Sequence, residues 1–205
     1  MIYLVRHGES IANTKGIYQG QTYDTNLSSL GIKQAKALAK FLVNGKLDYI
    51  VSSPLKRTHQ TAAVVSKFAK TKVIVNNDII ETNHGIWEGL HKDVIAKNWP
   101  KLYENWFISP SQITFPGGES FLQTQTRVIS WWVKMKNNPH NILIVSHDNI
   151  LRIIIADILK MSLDDIWQFH LHPAAITIIE NNKLVCLNDK NHLIGLEADL
   201  STHAL

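Results

Sequence analysis

The stretch Leu4-Val5-Arg6-His7-Gly8-Glu9-Ser10 joins an apolar segment directly to a guanidinium and an imidazole side chain. Residues 2–5 form a short apolar run, which predicts a buried β-strand. Arg6 and His7 then follow at the carboxyl end of that strand. In an open α/β sheet, ligands bind outside the carboxyl ends of the strands. The stretch therefore predicts one strand of a sheet and one part of a ligand site.

Strands and helices alternate through the rest of the chain. Apolar runs predict further strands at residues 49–52, 72–75, 141–146, 174–180 and 183–188. Helices are predicted at residues 28–43, 53–69, 148–160 and from just after residue 118 to 136, with a short one after Ser162. This alternation predicts a three-layer α/β/α sandwich, with a mostly parallel sheet and helices on both faces. Asn181-Asn182 predicts a hairpin between the last two strands.

Local signals refine two of these helices and predict two more. Ser28 or Ser29 is the expected N-cap of the helix that ends at residue 43. Ser53 and Pro54 are expected to cap and open the next helix, because proline is favoured at a first helical position. Residues 91–115 predict two short helices broken at Pro100, which form a small aromatic-rich helical cap. Residues 191–205 are mixed in character, and either a tail over the site or a frayed end fits them.

The composition is that of a globular protein with a sizeable core. The chain has 205 residues, of which 45% are hydrophobic and 19% charged, and this excludes general disorder. At roughly 150 residues per domain, it predicts a single domain over residues 1–205, with a cap-like insertion at about 91–116. The single cysteine, Cys186, excludes an intramolecular disulfide framework and fits a cytoplasmic protein.

The net charge and the lengths of the apolar runs limit the classes of partner that the sequence predicts. The 21 basic and 17 acidic residues give a net charge of +4, which favours anionic partners in a general way. The basic residues are scattered, so we expect no nucleic-acid partner. The apolar runs are too short to cross a membrane, and no secretory signal precedes the first strand. We therefore expect an anionic partner, and a homodimer is left open.

Charged and imidazole groups follow several predicted strands. Arg6 and His7 follow the first strand, Arg57 lies in the first turn of the helix after the second, and His147 follows the fourth. Glu81 follows the apolar pair at residues 79–80. Arginine presents a planar fork to phosphate oxygens, and helix N-termini add backbone N–H donors. The convergence of these groups at one sheet edge therefore predicts a phosphate site.

Six blocks of sequence in a fixed order extend this pattern over residues 4–147. The blocks are Leu4-Val5-Arg6-His7-Gly8-Glu9-Ser10 with Asn13, Tyr18-Gln19-Gly20 with Asp24 and Leu27-Ser28, Ser52-Ser53-Pro54-Leu55-Lys56-Arg57-Thr58, Glu81 with Gly85-Ile86-Trp87-Glu88-Gly89, Pro116-Gly117-Gly118-Glu119-Ser120, and Val145-Ser146-His147. Together they resemble the signature of the histidine phosphatase superfamily, in its phosphoglycerate mutase-like branch.

The resemblance implies an activity and a role for each matching residue. The implied activity is the metal-independent hydrolysis of a small phosphomonoester, with no cofactor, and the implied partner is a small phosphorylated metabolite. The matching residues are His7 as the nucleophile that becomes phosphohistidine, Arg6, Arg57, His147 and Asn13 as phosphate ligands, Glu81 as the proton donor, and Gln19 and Gly20 as pocket residues. The chemistry also needs an acceptor for the second imidazole nitrogen of His7, and we expect a backbone carbonyl near Gly8.

Alternatives stay open at several residues. Glu88 is the rival proton donor, and Asp148 either orients His147 or caps the following helix. His84 either contacts the substrate or packs the loop. The pair His170 and His172 would share one face of a strand, so a metal site is conceivable, although no third ligand is evident.

Two other functions compete with the phosphatase. A mutase carries a longer insertion after the position of Glu81, whereas only residues 82–116, which are 35 residues, precede Gly117 here. A mutase must also keep water from its phosphoenzyme, which a short cap does poorly. A non-catalytic phosphate-binding protein of the same fold would be expected to lose His7 or Glu81. The sequence therefore favours the phosphatase.

Overall fold

The computed structural model describes residues 1–43 and 45–204, with six strands and six α-helices among them. The strands are β1 (Ile2–Arg6), β2 (Tyr49–Ser52), β3 (Val73–Val75), β4 (Ile142–Ser146), β5 (Ile176–Glu180) and β6 (Lys183–Asp189). The helices are α1 (Ser29–Leu42), α2 (Lys56–Ala69), α3 (Lys92–Asn98), α4 (Pro100–Ile108), α5 (Phe121–Met135) and α6 (Asp148–Leu159). Short 3₁₀ turns join several of these elements.

The strands form one sheet in the order β3-β2-β4-β1-β5-β6. β3, β2, β4 and β1 are parallel, and β5 pairs antiparallel with both β1 and β6. Arg6 lies opposite Ser146 in the pairing of β1 with β4. The carboxyl ends of β1, β2 and β4 therefore meet at one edge, as the sequence predicts.

Helices cover both faces of the sheet because alternate strand residues point to opposite sides. In β4, Leu143 and Val145 pack in the apolar cluster that includes residues of α1 and α2. Ile142 and Ile144 pack in the larger cluster, which includes residues of α5 and α6. All four side chains are fully buried, and each contributes about 1.5–3 kcal/mol of hydrophobic stabilisation. The predicted three-layer fold is confirmed.

Two predicted helix starts are confirmed, and a third prediction is wrong. Ser28 caps α1, where its Oγ accepts from the Gly31 N–H at 3.0 Å. The break at Pro100 is present, and Pro100 opens α4. The prediction that Ser53 and Pro54 open α2 is wrong, because α2 begins at Lys56. The Lys56 N–H donates at 2.8 Å to the carboxylate of Asp24, an acceptor 32 positions away that local sequence does not reveal.

The helical cap and the last residues both pack onto the body of the fold. Trp106 of α4 is fully buried and lies edge-on to Phe115, Phe121 and Trp167. Residues 191–204 follow β6 across the site and bury Ala204, which corresponds to the tail alternative; Leu205 lies outside the described residues. Within the described part of the chain, no helix combines the length and apolarity that a membrane crossing requires.

Candidate active site

A small cavity lies at the carboxyl ends of β1, β2 and β4. Every site residue predicted from the sequence lines it, except His147. The parallel strands bring Arg6 and His7 there, and the first turn of α2 brings Arg57. Residues from three loops complete the walls, among them Asn13, Gln19, Gly20, Glu81 and His84. The structure thus places side chains that are distant in sequence around one small space.

His7 is held as a neutral imidazole with one nitrogen oriented by the backbone. Its Nδ1 lies 2.7 Å from the carbonyl oxygen of Gly8, the acceptor that the sequence predicts. Because a carbonyl only accepts, Nδ1 carries the proton and Nε2 is left with a lone pair. Burial, together with the positive charges of Arg57 and Arg6, holds the pKa of His7 well below its usual value. The imidazole is therefore neutral and nucleophilic at neutral pH.

Arg6 is fixed by a buried chain of ionic contacts. Its Nη1 donates to Asp148 Oδ1 at 3.1 Å and to the Leu171 carbonyl at 2.9 Å. The other oxygen of Asp148, Oδ2, accepts from Arg152 Nε at 2.5 Å. Burial alone would raise the pKa of Asp148, but Arg152 and Arg6 beside it bring that pKa below its usual value. Asp148 is therefore an ionised bridge between two guanidinium groups.

Both sequence-based interpretations of Asp148 are wrong. The residue that precedes α6 is His147, so Asp148 is not the N-cap. Its carboxylate contacts Arg6 and Arg152, whereas the Nε2 of His147 lies 2.8 Å from Ser53 Oγ. The reason lies in tertiary structure, because the buried carboxylate pairs with two arginines and these contacts replace both local roles.

Arg57 is oriented from the opposite side of the cavity. Its Nη1 donates to Asp24 Oδ1 at 3.2 Å, and its Nη2 donates to the Gly20 carbonyl at 2.9 Å. Gly20 has a positive φ of 54° and lies so close to Glu88 that a Cβ would overlap its carboxylate at 1.9 Å. Only glycine therefore fits this close approach, which brings the loop carbonyl to Arg57.

Glu81 is a buried carboxyl group with few hydrogen-bond donors. Its Oε1 accepts from the Thr82 N–H at 2.9 Å. Burial raises the pKa of Glu81 to about 7, against the opposing influence of Arg57. A carboxyl group with this pKa is protonated in a large fraction of molecules at neutral pH. It can therefore give a proton in one step and accept one in another.

Glu88 occupies a different environment from Glu81. Its Oε1 accepts from the N–H groups of Gln21 and His84 at 3.0 and 2.9 Å. Its Oε2 accepts from the Thr22 N–H at 2.6 Å and also from the Thr22 hydroxyl. Glu88 therefore clamps the loop of residues 20–22 against the loop of residues 84–88.

His147 packs behind His7. The two ring centroids lie 5.5 Å apart in an edge-to-face arrangement. Burial and the neighbouring charges of Arg57 hold the pKa of His147 well below its usual value. His147 is therefore a neutral group that contacts the ring of His7 and does not itself line the cavity.

His84 lines the cavity and also belongs to an aromatic cluster. It lies edge-on to Phe115 and Tyr18, with centroid distances of 4.6 and 5.3 Å. Asn149 donates from Nδ2 to His84 Nε2 at 3.3 Å, which places the imidazole proton on Nδ1. Burial and the charge of Arg57 lower the pKa of His84 to about 3. His84 therefore packs the loop and also lines the cavity, and its contact with the substrate stays a prediction.

The polar groups of the first loop are prearranged by hydrogen bonds. Asn13 Oδ1 accepts from the N–H and the hydroxyl of Ser10 at 3.0 and 2.8 Å. This directs the amide NH₂ end of Asn13 away from Ser10. Gln19 Oε1 accepts from the Thr25 hydroxyl at 3.0 Å.

Sequence reasoning missed two kinds of cavity residue. Ile17 and Ala204 line the cavity, and no motif marks either of them. Tyr18 belongs to a recognised block, but the block does not show that it lines the cavity. In the structure Tyr18 lines the cavity and lies edge-on to His84.

The sequence leaves a metal site open at the pair His170 and His172. Asn188 donates from Nδ2 to His172 Nδ1 at 3.0 Å, so this imidazole already has a structural partner. The described residues contain no group of three or more side chains arranged to hold a metal ion.

Comparison with known proteins identifies the family. Residues 2–186 match the histidine phosphatase superfamily (branch 1). Phosphoserine phosphatase 1 of Hydrogenobacter thermophilus is 35% identical over 198 residues, which cover 94% of this chain and 93% of that protein. The adenosylcobalamin/alpha-ribazole phosphatase of Escherichia coli is 30% identical over 200 residues, covering 96% and 98% of the two chains.

Solved structures agree with this match. The alpha-ribazole phosphatase of Shigella flexneri superposes with a TM-score of 0.81 at 29% identity, covering 92% of this chain and 96% of that one. YhfR of Bacillus stearothermophilus superposes with a TM-score of 0.87 at 25% identity, covering 94% and 98%. The chain therefore belongs to the histidine phosphatase superfamily and is a phosphoric monoester hydrolase.

Proposed function

We propose that this enzyme hydrolyses a small phosphomonoester through a phosphohistidine intermediate on His7. The observation that carries the proposal is the pairing of a neutral, backbone-oriented His7 with a buried Glu81 in one cavity. Arg6 and Arg57 line the same cavity and supply two positive charges. Phosphoryl transfer depends mainly on positioning and on electrostatic stabilisation of the equatorial oxygens, and these two groups can provide both.

In the first step, the Nε2 lone pair of His7 attacks phosphorus as the bond to the alcohol oxygen breaks. The carboxyl group of Glu81 gives its proton to that leaving oxygen, so a neutral alcohol departs and a carboxylate remains. The Gly8 carbonyl accepts from Nδ1–H and stabilises the positive charge that forms on the imidazole. Arg6, Arg57, His147 and Asn13 are the proposed phosphate ligands.

In the second step, the Glu81 carboxylate takes a proton from water while the water oxygen attacks the phosphohistidine. The phosphorus–nitrogen bond breaks, which releases inorganic phosphate and restores the neutral imidazole and the protonated carboxyl group. The pKa of about 7 suits Glu81 to both directions of proton transfer. The relatives named phosphatases support hydrolysis as the net reaction.

The substrate-binding residues are proposed on the same basis. Gln19 and Gly20 bound the cavity beside Arg57, and His84 lines it as well. Among the described residues, His84 Nδ1 has no hydrogen-bond partner. It is therefore able to donate to an oxygen atom of the bound ester.

The decisive experiment combines His7→Ala with rapid quenching. The variant should lose at least about 10³-fold in turnover of p-nitrophenyl phosphate, because nucleophile and acid act as a unit. Wild-type enzyme quenched after brief exposure to a ³²P-labelled ester should carry an acid-labile, base-stable label, and His7→Ala should not. An intact circular dichroism spectrum of the variant provides the folding control.

Two results would contradict this mechanism. A label on serine, or no label at all in the wild type, would exclude the phosphohistidine. Activity that disappears with excess EDTA and returns with a divalent ion would show that the two arginines do not suffice for charge stabilisation.

A further inference from the structure

The peptide unit that joins Gly8 to Glu9 forms a hydrogen bond at each of its two ends. Its carbonyl oxygen, on Gly8, accepts from His7 Nδ1 at 2.7 Å. Its N–H, on Glu9, donates to Gln34 Oε1 at 2.8 Å. Because a trans peptide is planar, its C=O and its N–H point in opposite directions. One rigid unit therefore links the nucleophile to a glutamine of α1.

The side chain of Gln34 is held in one orientation. It is fully buried, and its Nε2 donates to the Leu196 carbonyl at 2.8 Å. A carbonyl oxygen only accepts, so the NH₂ end of the side chain faces Leu196 and Oε1 faces the Glu9 N–H. Gln34 is therefore a fixed acceptor, because the flipped amide would lose both contacts.

Two glycines bring this peptide against α1. A Cβ on Gly31 would lie 2.0 Å from the Glu9 carbonyl oxygen, and a Cβ on Gly8 would lie 2.7 Å from the Gly31 carbonyl oxygen. Gly31 and Gln34 are three positions apart in α1, so they lie on the same side of the helix. The side of α1 that the loop touches is thus the side that carries the acceptor.

The contacts align three amide groups in one series that ends at the nucleophile. The Leu196 carbonyl faces the NH₂ group of Gln34, and Gln34 Oε1 faces the Glu9 N–H. At the other end of that peptide, the Gly8 carbonyl faces the Nδ1–H of His7. We call this series the relay. Its members polarise one another, and burial strengthens the effect, so its negative end is directed at the imidazole.

The proposed chemistry creates a charge at the end of the relay. Attack of Nε2 on phosphorus leaves a positive charge on the imidazole of His7. Burial and the charges of Arg57 and Arg6 oppose that charge, and they hold the pKa of His7 well below its usual value. Aligned amide dipoles stabilise the positive charge without adding a net charge to the site.

We infer that Gln34 is a positioning residue for the nucleophile and acts on His7 through the Gly8–Glu9 peptide. The inference rests on the proposed function and adds to it a residue of α1. Gln34 holds the peptide in place and increases the negative charge on the Gly8 carbonyl oxygen. Because the relay stabilises the charged imidazole, its loss slows formation of the phosphohistidine and does not slow its hydrolysis.

Gln34→Met tests the relay, because methionine has a similar length and offers only a weak acceptor. The substrate is ³²P-labelled p-nitrophenyl phosphate, whose leaving group needs little protonation. Single-turnover quenching should show phosphoenzyme formation slowed by roughly 3- to 30-fold. Hydrolysis of the labelled phosphoenzyme should not be slowed, since the imidazole loses its positive charge in that step. The fraction of enzyme that carries label at saturating substrate should therefore fall.

Gln60→Met is the matched control. Gln60 Oε1 accepts from the Leu27 N–H at 2.8 Å, the same distance as in the relay. Its Nε2 donates to Asn26 Oδ1 at 3.1 Å, so this glutamine of α2 is also bonded at both ends of its amide. It holds the peptide before Leu27 instead of the one beside His7. Gln60→Met should therefore leave the ratio of the two rates unchanged.

Gln34→Glu is the rescue variant, because a carboxyl oxygen can accept from the Glu9 N–H in the same place. It should form phosphoenzyme faster than Gln34→Met does. Circular dichroism provides the folding control. If Gln34→Met does not fold, Gln34→Asn replaces it, since its side chain is one methylene shorter and cannot keep both bonds. The same slowing of formation alone is then expected.

Failure of this inference is distinguishable from failure of the proposed function. Equal slowing of both steps in Gln34→Met, or no slowing of formation, would overturn the relay. An equal change of the ratio in Gln60→Met, or a Gln34→Glu variant no faster than Gln34→Met, would also overturn it. Absence of labelled phosphoenzyme in the wild type would instead contradict the proposed function.

Discussion

Glu81 and Glu88 are the same residue type only seven positions apart, yet their surroundings differ. Glu81 is 5% exposed and accepts one backbone N–H bond, from Thr82. Glu88 is partly exposed and accepts bonds from three backbone N–H groups and one hydroxyl, all in adjoining loops. The first carboxyl group faces the cavity with His7, and the second lies outside its walls.

The difference shows that the surroundings of a carboxyl group determine whether it suits proton transfer or holds neighbouring groups in place. Desolvation without sufficient donors favours the protonated form and raises the pKa of Glu81 to about 7. A carboxylate that accepts several N–H bonds holds those groups in place. Glu81 is therefore suited to proton transfer, and Glu88 to fixing a loop.

The largest expected effect is that of Glu81→Gln on an alkyl phosphate. An alkoxide is a strongly basic leaving group, so loss of the acid should slow phosphoenzyme formation by about 10²- to 10⁴-fold. p-Nitrophenolate leaves largely unaided, so the same step with p-nitrophenyl phosphate should slow much less. Quenched single-turnover measurements isolate this step from the later attack of water, which uses the same carboxylate.

Glu88→Gln is the control for that experiment. It should slow both esters by similar factors, because Glu88 does not reach the leaving oxygen. A steep dependence on the leaving group in Glu88→Gln, with Glu81→Gln nearly silent, would reverse the assignment of the acid.

The sequence predicts the site where strand topology and short motifs determine it. His7, Arg6 and Arg57 lie at or near the carboxyl ends of β1 and β2, and parallel pairing gathers such positions at one edge. Glu81 instead follows a 3₁₀ turn at Asn77–Ile79, so only its sequence block marks it. The pKa of Glu81 is not predictable in this way, because it depends on how much water the folded loops exclude.

Long-range contacts account for what the sequence does not predict. The start of α2 depends on Asp24, and the role of Asp148 depends on Arg152. The position of residues 199–204 depends on their contact with α3 through Lys92. No local pattern encodes these contacts, whereas the caps of α1 and α5 involve residues three positions apart and are readable in the sequence.

The next effect in size is a pH dependence of stability that Glu81 creates. The pKa of a glutamate is about 4.3 in an unfolded chain and about 7 here in the folded state. Between these values the folded state binds the extra proton, so the free energy of unfolding falls as the pH rises. Relative to Glu81→Gln, the wild type should lose about 3 kcal/mol from pH 4 to pH 8.

Urea unfolding of both proteins across that range measures the difference. The contribution should be fully present below about pH 4 and lost through pH 7. Parallel stability curves for the wild type and Glu81→Gln would show that folding does not raise the pKa of Glu81, which would remove the basis for its role as an acid at neutral pH.

The smallest expected effect is that of Glu88→Gln on stability and on KM. Whichever way the new amide is oriented, its NH₂ group faces N–H donors that now bond to Glu88, from Gln21 and His84 on one side or from Thr22 on the other. We expect a loss of about 1–2 kcal/mol, which lowers Tm by about 2–8 °C. KM should rise for both ester types alike, because the loosened loop carries Gln19 and Gly20 of the cavity. Thermal melts and steady-state kinetics measure the two effects, and an unchanged Tm with unchanged KM would show that the clamp is not needed to hold the loop.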